Sequence, residues 1–127
     1  MSRLTLDAGA LIALERSDRT LWAALRLAAT ASHDVVVPTT VVAQVWRGTA
    51  GQALLSRALQ HCVLAPFDPR ARAVGELCGR TRTRDLCDAH VALVASEQGG
   101  VLYPSDPEDL GRLVAALGGR TPRILRC

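Results

Sequence analysis

Short apolar runs recur along this chain with helical stretches between them: Arg3-Leu4-Thr5-Leu6, Val35-Val36-Val37, Cys62-Val63-Leu64-Ala65 and Val101-Leu102-Tyr103. This alternation is the strongest constraint on the fold. Parallel strands need a crossover of a dozen or more residues, usually a helix, so strand and helix in turn point to a parallel sheet covered on both faces. The expected fold is a single three-layer α/β/α domain over residues 1–127, with a mainly parallel sheet of four to five strands. Arg123-Ile124-Leu125 is the candidate fifth strand, at a sheet edge.

Between the strands, Asp7 to Arg16 has helical composition, and Ser17-Asp18 caps a second helix through Leu21, Trp22, Leu25 and Ala28. Thr39 or Thr40 is expected to cap a helix through Val42, Val45 and Trp46, broken by Gly48 to Gly51. Gln52 to Gln60 reads as another helix, and Asp68-Pro69 opens one toward Cys78, followed by a basic loop from Gly79 to Arg84. From Asp85 a helix runs to Ser96 and stops at Gly99-Gly100; its middle is apolar on every face, as in a helix buried on more than one side. Ser105-Asp106-Pro107-Glu108-Asp109 starts a last helix to Leu117.

Hydrophobic residues make up 49% of the chain and charged residues 21%, which suits a sizeable core and excludes disordered, collagen-like and coiled-coil readings. Aromatics are only 3%, so platforms for stacking single-stranded bases are scarce. Every basic side chain is Arg, and the net charge of +3 is compatible with a polyanionic partner without requiring one. Cys62, Cys78, Cys87 and Cys127 form no C-x-x-C pair, so reduced thiols are expected rather than a zinc or redox site. No run approaches a membrane span and Asp7 and Glu15 interrupt the first apolar stretch, so the expectation is a soluble, cytoplasmic protein without a membrane partner.

In an open parallel sheet, functional groups gather at the carboxyl ends of strands, near the point where strand order reverses. Asp7 directly follows the first strand, Asp106 lies three residues past the fourth, and Asp88 opens the apolar helix that feeds it. Asp109 is one helical turn beyond Asp106. Converging carboxylates repel unless a cation neutralises them, and an all-oxygen set suits Mg²⁺ or Mn²⁺. Such an ion polarises a phosphoryl oxygen and acidifies bound water, which is what phosphodiester hydrolysis requires. Each acid also has a plainer explanation. Asp106-Pro107-Glu108-Asp109 is a helix-start signature by itself, and Asp7 can cap its helix, although no capping box supports it. Asp85 is the natural cap of its own helix, which leaves Asp88 without that duty.

Taken together, Leu6-Asp7-Ala8-Gly9-Ala10-Leu11-Ile12-Ala13-Leu14-Glu15, Asp88-Ala89-His90-Val91-Ala92 and Ser105-Asp106-Pro107-Glu108-Asp109-Leu110 resemble the PIN domain, specifically the toxin ribonucleases of VapBC toxin–antitoxin systems. The order, spacing and length match from end to end. The resemblance implies an endoribonuclease that uses Mg²⁺ or Mn²⁺, is neutralised by a cognate VapB-like antitoxin and is usually a homodimer. Asp7, Asp88 and Asp106 match the family's first, third and fourth acids, and Asp109 an additional acid often found nearby. The second acid is normally a Glu in a context like Val42-Ala43-Gln44-Val45-Trp46-Arg47, where this chain has Gln44. A neutral amide binds such a cation more weakly than a carboxylate, which favours a one-metal version of the chemistry.

Arg80, Arg82 and Arg84 are candidates for gripping RNA phosphates, with a solvated loop as the equal alternative. Arg47, expected one turn after Gln44 on the same face, is placed to contact substrate or a site acid, and Ser105 to hydrogen-bond an acid or a bound water. His90 is read as structural, because two helical residues turn it about 200° from Asp88. His33 and His61 are read as surface residues, and Cys87 as a buried, non-catalytic thiol. The leading expectation is thus catalysis by Asp7, Asp88 and Asp106 with metal binding supported by Asp109. A PIN-fold module that binds RNA or antitoxin without cutting is the alternative, and a small phosphatase or receiver-like domain a third; a receiver would want a Lys, and there is none.

Overall fold

The computed structural model describes residues 3–103, 107–118 and 123–124. Five strands, β1 (Leu4–Leu6), β2 (Val35–Pro38), β3 (Val63–Ala65), β4 (Val101–Tyr103) and β5 (Arg123–Ile124), form one sheet in the order β3-β2-β1-β4-β5, with every pairing parallel. The register sets Leu4 against both Val35 and Val101, so β1 is central.

Topology decides which face each helix covers. The chain steps from β1 outward to β2 and β3 through α1 (Ala8–Glu15), α2 (Arg19–Thr30), α3 (Thr39–Val45) and α4 (Ala53–Leu59). It then returns to β4 and on to β5 through α5 (Ala71–Thr81), α6 (Leu86–Gln98) and α7 (Pro107–Leu117). Right-handed crossovers in opposite directions put the two groups on opposite faces. The packing agrees in the main: α1 contacts α2, α3 and α4, and α5, α6 and α7 contact one another, with α3 also packing on α6. The result is the three-layer α/β/α, PIN-like architecture expected from the sequence, with the strand order reversing between β1 and β4.

Leu6, Leu11, Leu14, Leu55, Leu77, Leu102 and Leu110 are fully buried, so Leu and Val fill the core that so few aromatics leave to them. Each such side chain contributes about 1.5–3 kcal/mol of burial. The helix α6 buries Ala89 to Ala92 and Val94 to Ser96, as its all-round apolar sequence implies. Gly100 permits the sheet's closest approach. At φ +75°, a Cβ there would stand 2.3 Å from the Arg3 carbonyl oxygen, just where Val101 N donates to that oxygen.

Several boundaries differ from the sequence expectation. α3 ends at Val45, with Trp46 already extended, and its N-cap is Pro38 without a side-chain cap bond. The hydroxyls of Thr39 and Thr40 face away instead: Thr39 Oγ1 accepts from Phe67 N, and Thr40 Oγ1 bonds His90 Nδ1. The helix after Asp68-Pro69 does not end near Cys78 but runs through Gly79 and Arg80 to Thr81. Burial of Val74 and Leu77 offsets the roughly 1 kcal/mol cost of an exposed glycine, and Arg82 at φ +57° ends the helix. The basic segment is therefore half helix, half loop.

Candidate active site

Asp7 leaves β1 at the carboxyl edge of the sheet, beside the reversal of strand order, and is 1% exposed. Its Oδ1 accepts from Gly9 N at 3.0 Å and Ala10 N at 3.4 Å, so it caps α1 although the sequence lacks a capping box. The positive end of the helix dipole helps hold a carboxylate there against its burial.

The second acid arrives from the other layer. Because α6 feeds a parallel strand, it runs back across the sheet and its first turn lies over the same carboxyl edge. Asp85 caps α6, its Oδ1 accepting from Asp88 N at 3.0 Å, which leaves the Asp88 side chain free of capping as the sequence suggested. The Asp88 carboxyl is pushed up to about 7: first by burial, then by the charge of Asp85 and a hydrogen bond with it, then by the charges of Asp7 and Asp109. Each of these favours the neutral form. The structure thus brings Asp7, Asp88 and Asp109 into one field, and adds Asp85, which sequence reasoning read only as a cap. Asp109 comes from the exposed first turn of α7. Asp106 and Ser105 lie outside the described residues.

The donors are carboxylates without a cysteine or histidine among them, which suits a hard divalent cation, and behind the burial that raises Asp88 stand the negative charges of Asp85, Asp7 and Asp109. Among the described residues no group of three His, Cys, Asp or Glu side chains is close enough to hold an ion.

Gln44 is exposed on α3, across from α1, and lines a cleft of about 350 Å³ with Ala8, Ile12, Glu15 and Arg47. One of its lining residues, Ala8, adjoins Asp7 in the chain, but none of the site acids lines it. Arg47 is not the next turn of α3, as its spacing suggested. The helix has already ended, and the guanidinium Nη1 donates to the carbonyls of Trp46 at 2.7 Å and Ala43 at 3.2 Å, which the helix end leaves unpaired. Gln52, which no sequence signal marked, holds this wall. It is 6% exposed; its Nε2 donates to Glu15 Oε1 at 2.7 Å and Val45 O at 2.9 Å, and its Oε1 accepts from Arg47 N at 2.7 Å and Gly48 N at 3.1 Å. One amide thereby ties α1, the end of α3 and the following loop.

His90 is fully buried, edge-on to Phe67 at 5.4 Å and bonded to Thr40 at 2.8 Å, in keeping with a structural role. Burial and the Arg70 guanidinium lower its pKa, opposed by Glu97 and the Pro66 carbonyl. The Cys87 thiol is pushed up by burial and by Asp85, the opposite of what a nucleophilic cysteine needs. His61 is exposed and His33 half-buried. Arg80, Arg82 and Arg84 are all exposed.

The chain is similar to a solved structure of VapBC2 from Rickettsia felis bound to a DNA fragment from their promoter. The similarity covers 98% of each chain, with a TM-score of 0.70 and 14% sequence identity. At that identity the likeness is one of fold. No family model matches the sequence, and no curated protein matches it. No helix among the described residues is long and apolar enough to cross a membrane.

Proposed function

We propose that this protein is a VapC-like endoribonuclease that hydrolyses RNA phosphodiester bonds with Mg²⁺ or Mn²⁺. One observation carries the reading: two acids from opposite layers, Asp7 and Asp88, share one field at the reversal of strand order, with Asp88 raised to about 7 by burial first and then by its acidic neighbours. Asp7 and Asp88 would hold the ion, with Asp109 in support and Asp106 as the further donor that the sequence pattern supplies. The ion would supply charge neutralisation and an acidified water. The chain's own contribution is to fix Asp7 Oδ1 on the amides of α1 and to deliver Asp88 from the rigid, buried α6. With Gln44 as a neutral wall, a single ion suffices for the acids available.

A cognate VapB-like antitoxin is the proposed partner. The VapBC2 likeness supports it, as does the attraction of the clustered Asp7, Asp85, Asp88 and Asp109 carboxylates for a basic segment that folds on binding. Homodimerisation in the cytoplasm follows from the resemblance and is checked by light scattering of the purified chain. Cleavage of a mixed pool of structured cellular RNAs in Mg²⁺, Mn²⁺ or EDTA tests the activity; cutting in either metal and none in EDTA is expected. The neutral, exposed Gln44 favours one second reading, a PIN-fold module that binds RNA or antitoxin without cutting, and uncut RNA in every condition would establish it.

A further inference from the structure

Away from the acids, α2 and α4 form the walls of a cleft of about 300 Å³ lined by Ser17, Arg19, Trp22, Arg26, Leu54 and Arg57. Arg19, Trp22 and Arg26 follow helical spacing on one face of α2, and Arg57 answers them from α4. No acid lines the cleft. Asp18, next to Arg19, has its Oδ1 engaged with Leu21 N at the cap of α2. Among the described residues the one salt bridge is Arg70–Glu97, so none of these three guanidinium groups has a carboxylate partner there. Trp22 is half-buried and its indole is fixed, Nε1 donating to Leu14 O at 3.0 Å.

An arginine cannot shed its proton to relieve crowding, so three of them around one cleft are best neutralised by an anion with several charges. A small carboxylate satisfies one guanidinium fork; a run of phosphates satisfies all three. The held indole, one of only four aromatic residues, adds a flat apolar surface that suits a base and gives a carboxylate chain nothing to stack. We propose that this cleft binds a single-stranded polynucleotide, with Arg19, Arg26 and Arg57 on phosphates and a base on Trp22. Arg16, the neighbour of Ser17, lines the cleft that opens beside Ala8, so the two clefts adjoin through the end of α1. A strand held here therefore has a route toward Asp7. That the strand is the one to be cut rests on the nuclease reading; the binding itself does not.

The test is fluorescence anisotropy of a labelled single-stranded RNA 12-mer with the intact chain in EDTA, across a salt series. Single-stranded DNA of the same sequence and poly-glutamate run in parallel. Arg26→Ala with Arg57→Ala should weaken RNA binding about tenfold or more and flatten the log K against log salt slope by about 1.4, since each phosphate no longer neutralised removes roughly 0.7. In a Trp46→Phe background, RNA should quench the fluorescence of Trp22. Circular dichroism of each variant separates lost binding from lost fold, and Arg57→Glu repeats the test with a single exposed change. DNA binding alongside RNA supports the proposal, since the phosphates and the base face are shared. An unchanged affinity and slope in the double variant overturns it, as does poly-glutamate binding where RNA does not. RNA binding by the unaltered chain with no cleavage in Mg²⁺ or Mn²⁺ would remove the nuclease reading and leave this cleft standing; cleavage with an unaffected double variant would do the reverse.

Discussion

The molecule crowds like charges in two places, and the two crowds behave differently. At the carboxyl edge, Asp7 and Asp88 are buried or half-buried on backbone fixed by helix caps, and burial together with the crowding raises the Asp88 carboxyl to about 7. Between α2 and α4, Arg19, Arg26 and Arg57 stand exposed on long side chains that spread into solvent. Acids can answer crowding by taking up a proton; arginines cannot. The acidic end should therefore change with pH near neutrality and with divalent cations, whereas the basic cleft should respond to salt alone.

The comparison breaks first at Asp7. Asp7→Asn keeps an oxygen acceptor for the amides of Gly9 and Ala10 while removing the charge, so RNA cleavage should fall on the order of a thousandfold with an unchanged melting temperature. Asp7→Ala should lose the same activity and, in addition, about 1 kcal/mol of stability with the cap. Full activity in both variants would remove Asp7 from the chemistry. Gln44→Glu sharpens the comparison by adding a carboxylate to the acidic end, and half-maximal cleavage should then need about fivefold less Mg²⁺, since ligand charge tunes cation affinity. An unchanged Mg²⁺ requirement would place the α3 wall outside the ion's reach.

The smallest effect is on stability. The Asp88 carboxyl lies near 7 in the folded chain and near the ordinary 3.8 when unfolded, so between these values the folded state binds more protons. Stability therefore falls as pH rises from about 4 to 7, and the full cost remains above that window. Asp88→Asn should raise the melting temperature at pH 8 by about 3 °C, on the order of 1 kcal/mol after solvent screening of this half-buried group, and leave it unchanged at pH 4. Melting curves at the two pH values check the sign.

Elements with a strong local signal were legible in the sequence. The apolar runs at Leu4, Val35, Val63 and Val101 became strands, and the all-round apolar stretch after Asp88 became the most buried helix. Asp85 capped as its position implied. What was not legible depends on partners distant in the chain. Val42, Val45 and Trp46 continue a helical period, yet α3 stops because Gln52 and the Arg47 guanidinium take the groups at its end. Thr40 looked like a cap because its partner, His90, is fifty positions away. Arg57 joins Arg19 and Arg26 only because α4 packs beside α1 and the hairpin it makes with α2, which no local pattern announces. For the site, the sequence named Asp7 and Asp88, but the role of Asp85 in raising Asp88 depends on how the first turn of α6 folds back on its own cap.

The central claim is that the crowded carboxylates await a cation, and proton release on metal binding tests it most directly. Mg²⁺ is titrated into the protein calorimetrically at pH 6 and pH 9, each in two buffers of different ionisation enthalpy. If the ion displaces the proton of Asp88, close to one proton should leave per ion at pH 6 and close to none at pH 9. Binding without any proton release at pH 6, or no binding at either pH, would contradict it.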